Sequence, residues 1–413
     1  MKIGKSGVPS FVLTRNPRLA STVSGLYRGV AKMGIPGISP IALREAALLD
    51  GGFYTGAQLA KMAATQGFSV ENPFDVKIRV GTLVGENSVI GSGTVITGKH
   101  VCLGPNTIIS GTTIEGNNIT LGNANELRNV VIKQGNITIV DGNVFNGTQI
   151  FPQTGNHMDA NLSIGNNNVF GRTNIHNETG GTIDIGSNNQ FGDNGQIRSV
   201  FAGNIHIGNW NSLMMDGGGV ISTSYNFGNH WGGDIVIGYG VATKRGAELL
   251  GFGAYGITGE MMKRALIEGG FGGSYEIDAL DFGNINNVKS VLEEKIVKGT
   301  PEDVLRVLAS IRATIWIPND KPSGSTVLIV GAAKPKASII MGETDRTTEI
   351  RDSARIQHSA IMPGTDVYEG CKVYFELVDG GRVEAHTSRI GPNVPNEKDP
   401  GYPDSWAKYF EAK

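Results

Sequence analysis

The stretch that decides the fold is LVGENSVIGSGTVITGKHVCLGPNTIISGTTIEGNNITLG, residues 83–122. A period of six residues runs through it, which fits neither a helix of 3.6 residues per turn nor a simple alternating strand. It predicts short strands joined by turns, with three sides to a coil and each coil stacked on the last. The residues expected to fill the interior are Val84, Ile90, Ile96, Cys102, Ile108, Ile114 and Thr120. A second set of mostly small or polar residues, each two positions before a repeat residue, is also expected to face inward. From the second repeat onward these are Ser88, Thr94, His100, Asn106, Thr112 and Asn118. The glycine after several repeat positions is expected to provide the backbone angles of a corner.

A wider repeat follows over residues 123–240, in the segments ANLSIGNNNVFG, GTIDIGSNNQFG, GNIHIGNWNSLM and GDIVIGYGVA. These segments share an Ile-Gly pair, which predicts further coils with longer turns. Asparagine tolerates left-handed backbone and stacks well in ladders, so Asn167, Asn189 and Asn211 are expected to form a ladder from coil to coil. The Ile-Gly pairs are Ile164-Gly165, Ile185-Gly186, Ile207-Gly208 and Ile237-Gly238.

The rest of the chain predicts helices and a second β region. A Ser39-Pro40 start and a Thr55…Gln58 capping box predict two N-terminal helices. Further helices are expected at 259–268, at 286–297 and from Thr300-Pro301 onward. Residues 373–387 are expected to form a hairpin that turns at 379–381. The predicted organisation is an N-terminal arm and helical region (1–78), a β-solenoid (79–245), a helical cap or linker (246–322) and a small C-terminal β domain with an extended tail (323–413). The fold class is therefore mainly β.

Composition excludes several classes of protein. The chain has 36 Lys+Arg against 38 Asp+Glu, a formal net charge of −2, so it lacks the basic surplus of a nucleic-acid-binding protein. Its 2 cysteines form no CxxC motif, which argues against a disulfide framework and a structural zinc site. No apolar run reaches the ~18 residues of a membrane span, and the N-terminus lacks the apolar core of a signal peptide. A soluble protein made in the cytoplasm is expected. Glycine, 60 of 413 residues, is about twice as frequent as usual, which is typical of many tight turns.

The segment 79–122 resembles the hexapeptide repeat of left-handed β-helix proteins. A weaker likeness to hexapeptide acyltransferases extends to residue 240. That resemblance implies transfer of an acyl group from an acyl-CoA donor, with a histidine that removes the proton of the acceptor hydroxyl or amine. The candidate general base is His230, because NFGNHWGGDIVIG resembles the loop-then-GDIVIG arrangement of sugar and antibiotic O-acetyltransferases. His157 and His176 also precede an Ile-Gly coil. The simpler interpretation of each of these three histidines is a solvated turn residue, and that of His100 is an inward packing or hydrogen-bonded residue.

Two further motifs allow other chemistry. Gly251–Gly256 reads GFGAYG, a GxGxxG that would hold a dinucleotide pyrophosphate at a helix N-terminus, although no βαβ unit surrounds it. The simpler interpretation is a flexible junction leaving the solenoid. A pair of carboxylates beside a groove would suit glycan cleavage. The candidate carboxylates on turns are Glu178, Asp193, Asp216 and Asp234.

The sequence thus leaves three functions open. The preferred hypothesis is a structural β-solenoid subunit of a homo-oligomeric assembly, expected to be a homotrimer that contacts other assembly proteins. Its layout resembles phage virion appendages such as tail or capsid fibres and spikes. The alternative is the acyltransferase with His230, which uses no cofactor beyond the acyl-CoA co-substrate and no metal. The third is a solenoid that binds or cleaves a surface glycan.

Overall fold

The chain forms parallel β-coils in both of its compact units. We describe it from a computed structural model, which covers residues 52–116, 118–133, 135–152, 160–177, 181–200, 203–223, 233–271, 285–299, 301–314, 318 and 320–390. One unit extends to Phe151 and the other begins at Pro152. All the paired strands described run parallel, and they build two long sheets from segments of two to ten residues. The mainly β solenoid is therefore confirmed. The helix predicted from Ser39-Pro40 lies outside the described residues.

The N-terminal unit has three sides, each a ladder of short strands one coil apart. After the first coil, paired residues are 18 or 19 positions apart, as in Val89↔Ile108 and Ile108↔Glu126. The first side holds Ser69–Val70, Val89–Ile90, Ile108–Ser110, Glu126–Arg128 and Val144–Asn146; the second holds Lys77–Ile78, Val95–Ile96, Thr113–Ile114, Val131–Ile132 and Gln149–Pro152; the third holds Leu83–Val84, His100–Leu103, Asn118–Leu121 and Asn136–Ile139.

The interior follows the six-residue period only through the first coil. Ile90, Ile96 and Ile114 are fully buried as predicted, and Val84 is half-buried. The prediction is wrong for Cys102, Ile108 and Thr120, which face outward. From His100 onward each strand of the third side buries two alternate residues instead of one, so this side is longer. The buried positions that follow are therefore displaced by one residue from the six-residue pattern. The inward residues are then spaced six, five and seven apart: Leu103, Ile109, Ile114, Leu121, Leu127, Ile132, Ile139, Phe145 and Ile150.

Helix α1, Gly56–Gln66, begins and ends where the local sequence predicts. The Thr55 hydroxyl accepts from the Gln58 amide and the Gln58 side chain accepts from the Thr55 amide, which completes the capping box. Gly67 ends the helix in the left-handed conformation, with φ 76°, where glycine has no Cβ penalty. The helix buries Leu59 and Met62 on one face.

The C-terminal unit also winds on three sides. Its coils repeat every 21 or 22 residues at first, then at 30 residues for Ile205↔Ile235, and at 16 or 17 near its end. Glu248–Ile257 and Lys334–Met341 each run along two sides. The remaining strands are Asn161–Ile164, Val169–Phe170, Asn174–Asn177, Thr182–Ile185, Gln190–Phe191, Gly195–Ser199, Ile205–Ile207, Ser212–Met215, Gly219–Ser222, Ile235–Ile237, Val241–Lys244, Val327–Val330, Thr348–Ile350, Arg355–Gln357, Ala360–Ile361, Thr365–Val367, Lys372–Tyr374, Leu377–Val378, Gly381–Val383 and Ser388–Ile390.

The solenoid continues past the predicted boundary at residue 245. Val241–Lys244 pairs with Val327–Val330, and Glu248–Ile257 pairs with Lys334–Met341, so the C-terminal β strands extend the same two sheets. The predicted hairpin around Asp379 is wrong. Gly380 and Gly381 have φ 71° and 75°, the left-handed angles of a tight turn, but they form a corner between two sides of a coil. Gly381–Val383 therefore pairs in parallel with the preceding coil.

Three helices lie between these coils, and all three were predicted. They are α2 (Gly259–Glu268), α3 (Ile285–Leu292, continued by a π-helical segment Glu293–Val297) and α4 (Pro301–Thr314). Their apolar faces share one core with outward-facing residues of the coils, so the helices cover a side of the solenoid. The core includes Met262, Leu266, Val291, Leu292, Val307, Leu308 and Ile311 from the helices, and Val236, Ala254, Ile339, Met341, Ala360 and Met362 from the coils.

A buried asparagine ladder fixes one corner of the C-terminal unit. Asn168 Oδ1 accepts from the Asn189 amide at 2.9 Å, and Asn189 Oδ1 accepts from the Asn211 amide at 2.8 Å. Asn211 Oδ1 accepts in turn from the Val241 amide at 2.8 Å. The predicted ladder is therefore correct for Asn189 and Asn211, but its first member is Asn168. Asn167 takes the left-handed corner position just outside, with φ 56°.

The glycines of the Ile-Gly pairs are not corner residues, and neither are Gly85 and Gly91, for which corner angles were predicted. Gly165, Gly186 and Gly238 are absent from the left-handed region. A Cβ on Gly238 would lie 2.3 Å from the carbonyl oxygen of Gly256, and one on Gly186 would lie 2.7 Å from that of Gly208. Glycine is required there because the next coil passes too close for any side chain.

Replacing the central ladder residue by alanine tests the ladder. In Asn189→Ala the buried amide of Asn211 loses its acceptor and the Gly208 carbonyl loses a 2.7 Å donor. Buried groups left without partners cost about 1–3 kcal/mol each, so the free energy of unfolding should fall by about 2–4 kcal/mol. Urea unfolding followed by circular dichroism measures it. Asn167→Gly, which keeps the left-handed corner, should change the value by less than about 0.5 kcal/mol; equal losses in both variants would contradict the ladder.

A buried histidine makes the stability of the C-terminal coils pH-dependent. His358, only 7% exposed, lies edge-to-face against Phe375 at 4.8 Å between ring centroids. Burial lowers the pKa of His358 to about 3. Its folded-state pKa is thus below the unfolded value near 6.5, so the unfolded chain binds the proton first as the pH falls. Stability that is complete above pH 6.5 is therefore lost between pH 6.5 and pH 3.

The expected loss from pH 7 to pH 5 is about 2 kcal/mol in the free energy of unfolding. Urea titrations of the wild type and His358→Asn at both pH values measure it; asparagine suits the left-handed backbone at this position, with φ 48°. The stability advantage of the wild type over the variant should shrink by that amount. His386→Asn is the matched control, because His386 has φ 56° and is exposed. An advantage that does not change with pH would show that His358 is not the titrating group.

Candidate functional site

An outward apolar column runs down the first side of the N-terminal unit. Val89, Ile108, Glu126 and Val144 occupy successive coils in register. They face outward because the next residue of each strand is buried. Ile108 is 36% exposed, and Glu126 forms an ion pair with Arg128 of its own strand. We call this column the valine face; its single carboxylate is already neutralised within the face.

The second side of the same unit carries a similar column. Val95, Thr113 and Val131 are in register on its outer surface and are partly exposed. All three are β-branched, and β-branched side chains are stiff and pack well on a pleated surface. The same register places the exposed side chains of Lys77 and Gln149 at the two ends of this row, so the second side is less apolar than the valine face.

The third side of the unit is mainly polar, apart from Leu83 on its first strand, which is 64% exposed. His100, Asn118 and Asn136 are in register there, and Asn118 Nδ2 donates to Asn136 Oδ1 at 2.7 Å. The predicted inward packing of His100 is wrong, since the side chain is exposed. The extra length of this side moves position 100 to the outer surface. Cys102 and Thr120 face outward on the same side.

A histidine that the sequence analysis missed is half-buried in the C-terminal unit. His206 lies between Asp184 and Val236 in its sheet, on the outward face of its strand. Burial lowers the pKa of His206, the nearby Asp184 opposes that shift, and Arg312 of α4 adds to it. The alternation in GNIHIG marks position 206 as outward, but only the tertiary structure brings Arg312 near it.

Asp234, one of the predicted turn carboxylates, is held in an ion pair. Its carboxylate accepts from Arg312 Nη1 at 2.6 Å, and Asn204 donates to it through both its backbone amide and its side chain, at 3.1 and 2.9 Å. This contact ties α4 to the coils. Asp234 therefore has a structural contact that the sequence did not reveal.

The other predicted site residues are not brought into one cluster by the contacts of the described residues. Asp193 Oδ1 accepts from the Arg172 amide at 2.8 Å, and Asp216 is an exposed corner residue with φ 59°. His176 is in register with Arg198 on the second side. His157, Glu178 and the candidate base His230 lie outside the described residues, so their roles stay predictions.

The GxGxxG motif is part of a coil. Gly251–Gly256 lies inside the strand Glu248–Ile257. That strand pairs along one edge with Ile235–Ile237 and along the other edge with Lys334–Met341. A Cβ on Gly253 would lie 2.8 Å from the Ser338 carbonyl oxygen, and one on Gly256 would lie 2.2 Å from Val241 Cγ2. Both the dinucleotide interpretation and the flexible junction are wrong, because these glycines serve close packing between coils.

Comparisons with known proteins give no assignment. No family model matches the chain, and no curated protein matches it significantly in sequence. Among the residues that the structure describes, no group of three or more His, Cys, Asp or Glu side chains is arranged to hold a metal ion. Over the same residues, no helix has both the length and the apolar character that crossing a membrane requires. In the N-terminal unit, the valine face is the surface feature on which we base the proposed function.

Proposed function

We propose that the chain is a structural and interaction subunit of a homo-oligomeric assembly, of the kind that forms virion appendages. The observation that carries the proposal is the valine face, with Val89, Ile108 and Val144 in register on the outside of a rigid coil. Burying exposed aliphatic groups is favourable by roughly 25 cal/mol per Å². A second copy of this chain is the occupant that we infer for the face.

The periodicity of the coils supports self-association. Strands of successive coils lie about 4.8 Å apart, so every copy presents its outward rows at the same spacing. Rows of equal spacing on two copies mesh along their whole length, whereas an unrelated surface would match at a few points only. The single carboxylate, Glu126, is paired with Arg128 and adds no repulsion between copies. Three copies that each contribute one side of the coil would give the predicted homotrimer, which further assembly proteins would then extend.

A charge on the face tests the proposal. Ile108→Lys keeps the coil intact, because the side chain at position 108 lies on the outer surface and Glu126 beside it is already paired with Arg128. Across the interface it buries an ammonium group without a partner, which is strongly unfavourable. Size-exclusion chromatography with light scattering at micromolar concentration should show an oligomer for the wild type and mainly monomer for the variant.

The matched control is Thr120→Lys. Thr120 is also exposed and lies between Cys102 and Thr138 in the ladder of the polar third side. This variant should keep the wild-type size. A monomeric wild type, or an unchanged oligomer in Ile108→Lys, would rule out the valine face as the interface.

One observation favours a second candidate, a left-handed hexapeptide acyltransferase with His230 as general base. Coils do follow the GDIVIG stretch: Ile235–Ile237 pairs with the strand Glu248–Ile257, and that strand pairs with Lys334–Met341. In the acyltransferases that the sequence resembles, later coils form the groove for the acyl-CoA donor. Their presence here supports a comparison with that family beyond residue 240.

Acetyl-CoA distinguishes the two candidates. A ligand that binds only the folded state stabilises it by about 2.7 kcal/mol at 100 times its dissociation constant. If the chain is an acyltransferase, 5 mM acetyl-CoA should therefore raise the melting temperature of both the wild type and His230→Ala by several degrees. Only the wild type should release free thiol with sugar or amine acceptors. No thermal shift in the wild type would argue against the acyltransferase.

A further inference from the structure

A cleft of about 340 Å³ opens on the outer surface of the C-terminal unit. Its floor is the outer surface of the side that holds the strands Gln190–Phe191 and Ser212–Met215, where Gln190 and Ser212 are in register. Its wall is the segment 321–325, which enters the coil at Thr326. The cleft has the volume of a small-molecule site, and its lining is mostly polar. The lining residues are Asn188, Gln190, Trp210, Ser212, Gly240, Val241 and 321–325.

The wall of the cleft is held in place at both ends. At one end the Tyr239 hydroxyl donates to the Asp320 carbonyl oxygen at 2.6 Å. At the other end the Thr326 amide donates to the Gly240 carbonyl oxygen at 2.9 Å, and the Thr347 hydroxyl donates to the Ser325 carbonyl oxygen at 2.7 Å. The cleft is thus formed before any ligand arrives, which lowers the entropic cost of binding.

Trp210 occupies a backbone position that does not suit it. Its φ is 60°, in the left-handed region, and the equivalent corner residues of the neighbouring coils are Asn167, Asn188 and Gly240. The left-handed conformation costs about 1–2 kcal/mol for residues other than glycine and asparagine. A bulky residue kept in such a conformation points to a function for its side chain. One part of the indole packs against the core beneath the helices, and Trp210 also lines the cleft.

We propose that this cleft is a saccharide-binding site in which the indole of Trp210 stacks on the face of a sugar ring. A pyranose has an apolar C–H face and a rim of hydroxyl groups. The aromatic ring suits the face, and the side chains of Asn188, Gln190 and Ser212 both donate and accept hydrogen bonds, as hydroxyl groups require. This proposal goes beyond self-association and rests on a different surface.

The charge of the cleft selects an acidic saccharide. Lys321 is the charged side chain of the lining, and no carboxylate accompanies it there. An ammonium group attracts the carboxylate of a sugar acid, and because Lys321 is exposed this attraction should be strongest at low salt. A neutral sugar of the same size would lose this contact. The preferred ligand is therefore an oligosaccharide that contains a uronic or other acidic sugar.

Trp210→Asn provides the main test. Asparagine occupies the same corner in the two preceding coils, so the variant should fold, with the relieved backbone strain offsetting part of the lost indole packing. The probe is an array of acidic and neutral surface oligosaccharides, followed by isothermal titration with the strongest one. We expect the wild type to bind acidic glycans, and Trp210→Asn to bind at least tenfold more weakly. Lys321→Gln should lose the preference for acidic over neutral glycans.

Control variants make the outcome decisive. Lys372→Gln removes an exposed lysine that does not line the cleft and should bind like the wild type. All variants should keep the wild-type oligomer size, so a failure here is separate from a failure of the valine face. If the wild type binds no saccharide on the array, or if Trp210→Asn binds equally well, the cleft is not a saccharide site.

Discussion

The parallel pairing of one coil with the next is the constraint on which the structure depends. Each strand finds its backbone partners one coil away, so every coil must return to the same three sides in register. A change in length can therefore be accommodated only at a corner. The spacing between Ile207 and its partner Ile237 is 30 residues, yet the two still pair in register. The three helices are likewise inserted between two sides of a coil: the strand before them, Glu248–Ile257, and the strand after them, Val327–Val330, each still pair with a neighbouring coil.

This constraint explains which parts of the fold could be predicted. The helices depend on local signals, such as the Thr55…Gln58 box, and their bounds follow the sequence closely. The Ile-Gly pairs could be aligned because they stack directly in the structure. Coils after residue 245 lack that template, since their corners are made by other residues and their length falls to 16 or 17. The sequence gives no local sign that such strands pair with partners so distant along the chain.

The errors in the prediction share a physical cause. Ile108 fits the six-residue pattern but faces outward, because the third side lengthens and shifts the frame by one. Asn167 and Asn168 are adjacent and identical in type, yet one forms the left-handed corner and the other the buried ladder. The local signal at Gly380-Gly381 correctly marks a turn, but a turn does not determine whether the chain doubles back or moves to the next side. Each of these outcomes depends on the neighbouring coil.

The candidate sites were less predictable than the fold for a related reason. Inward positions are fixed by packing, so their residue types repeat and can be recognised. Outward positions are free of that requirement, and a single sequence offers no rule for them. The informative ones depart from the local pattern: aliphatic residues in register where the third side has threonine and asparagine, and a tryptophan where neighbouring coils place asparagine or glycine. The pairing of one coil with the next requires neither departure, and for this reason we base the two proposals on these positions.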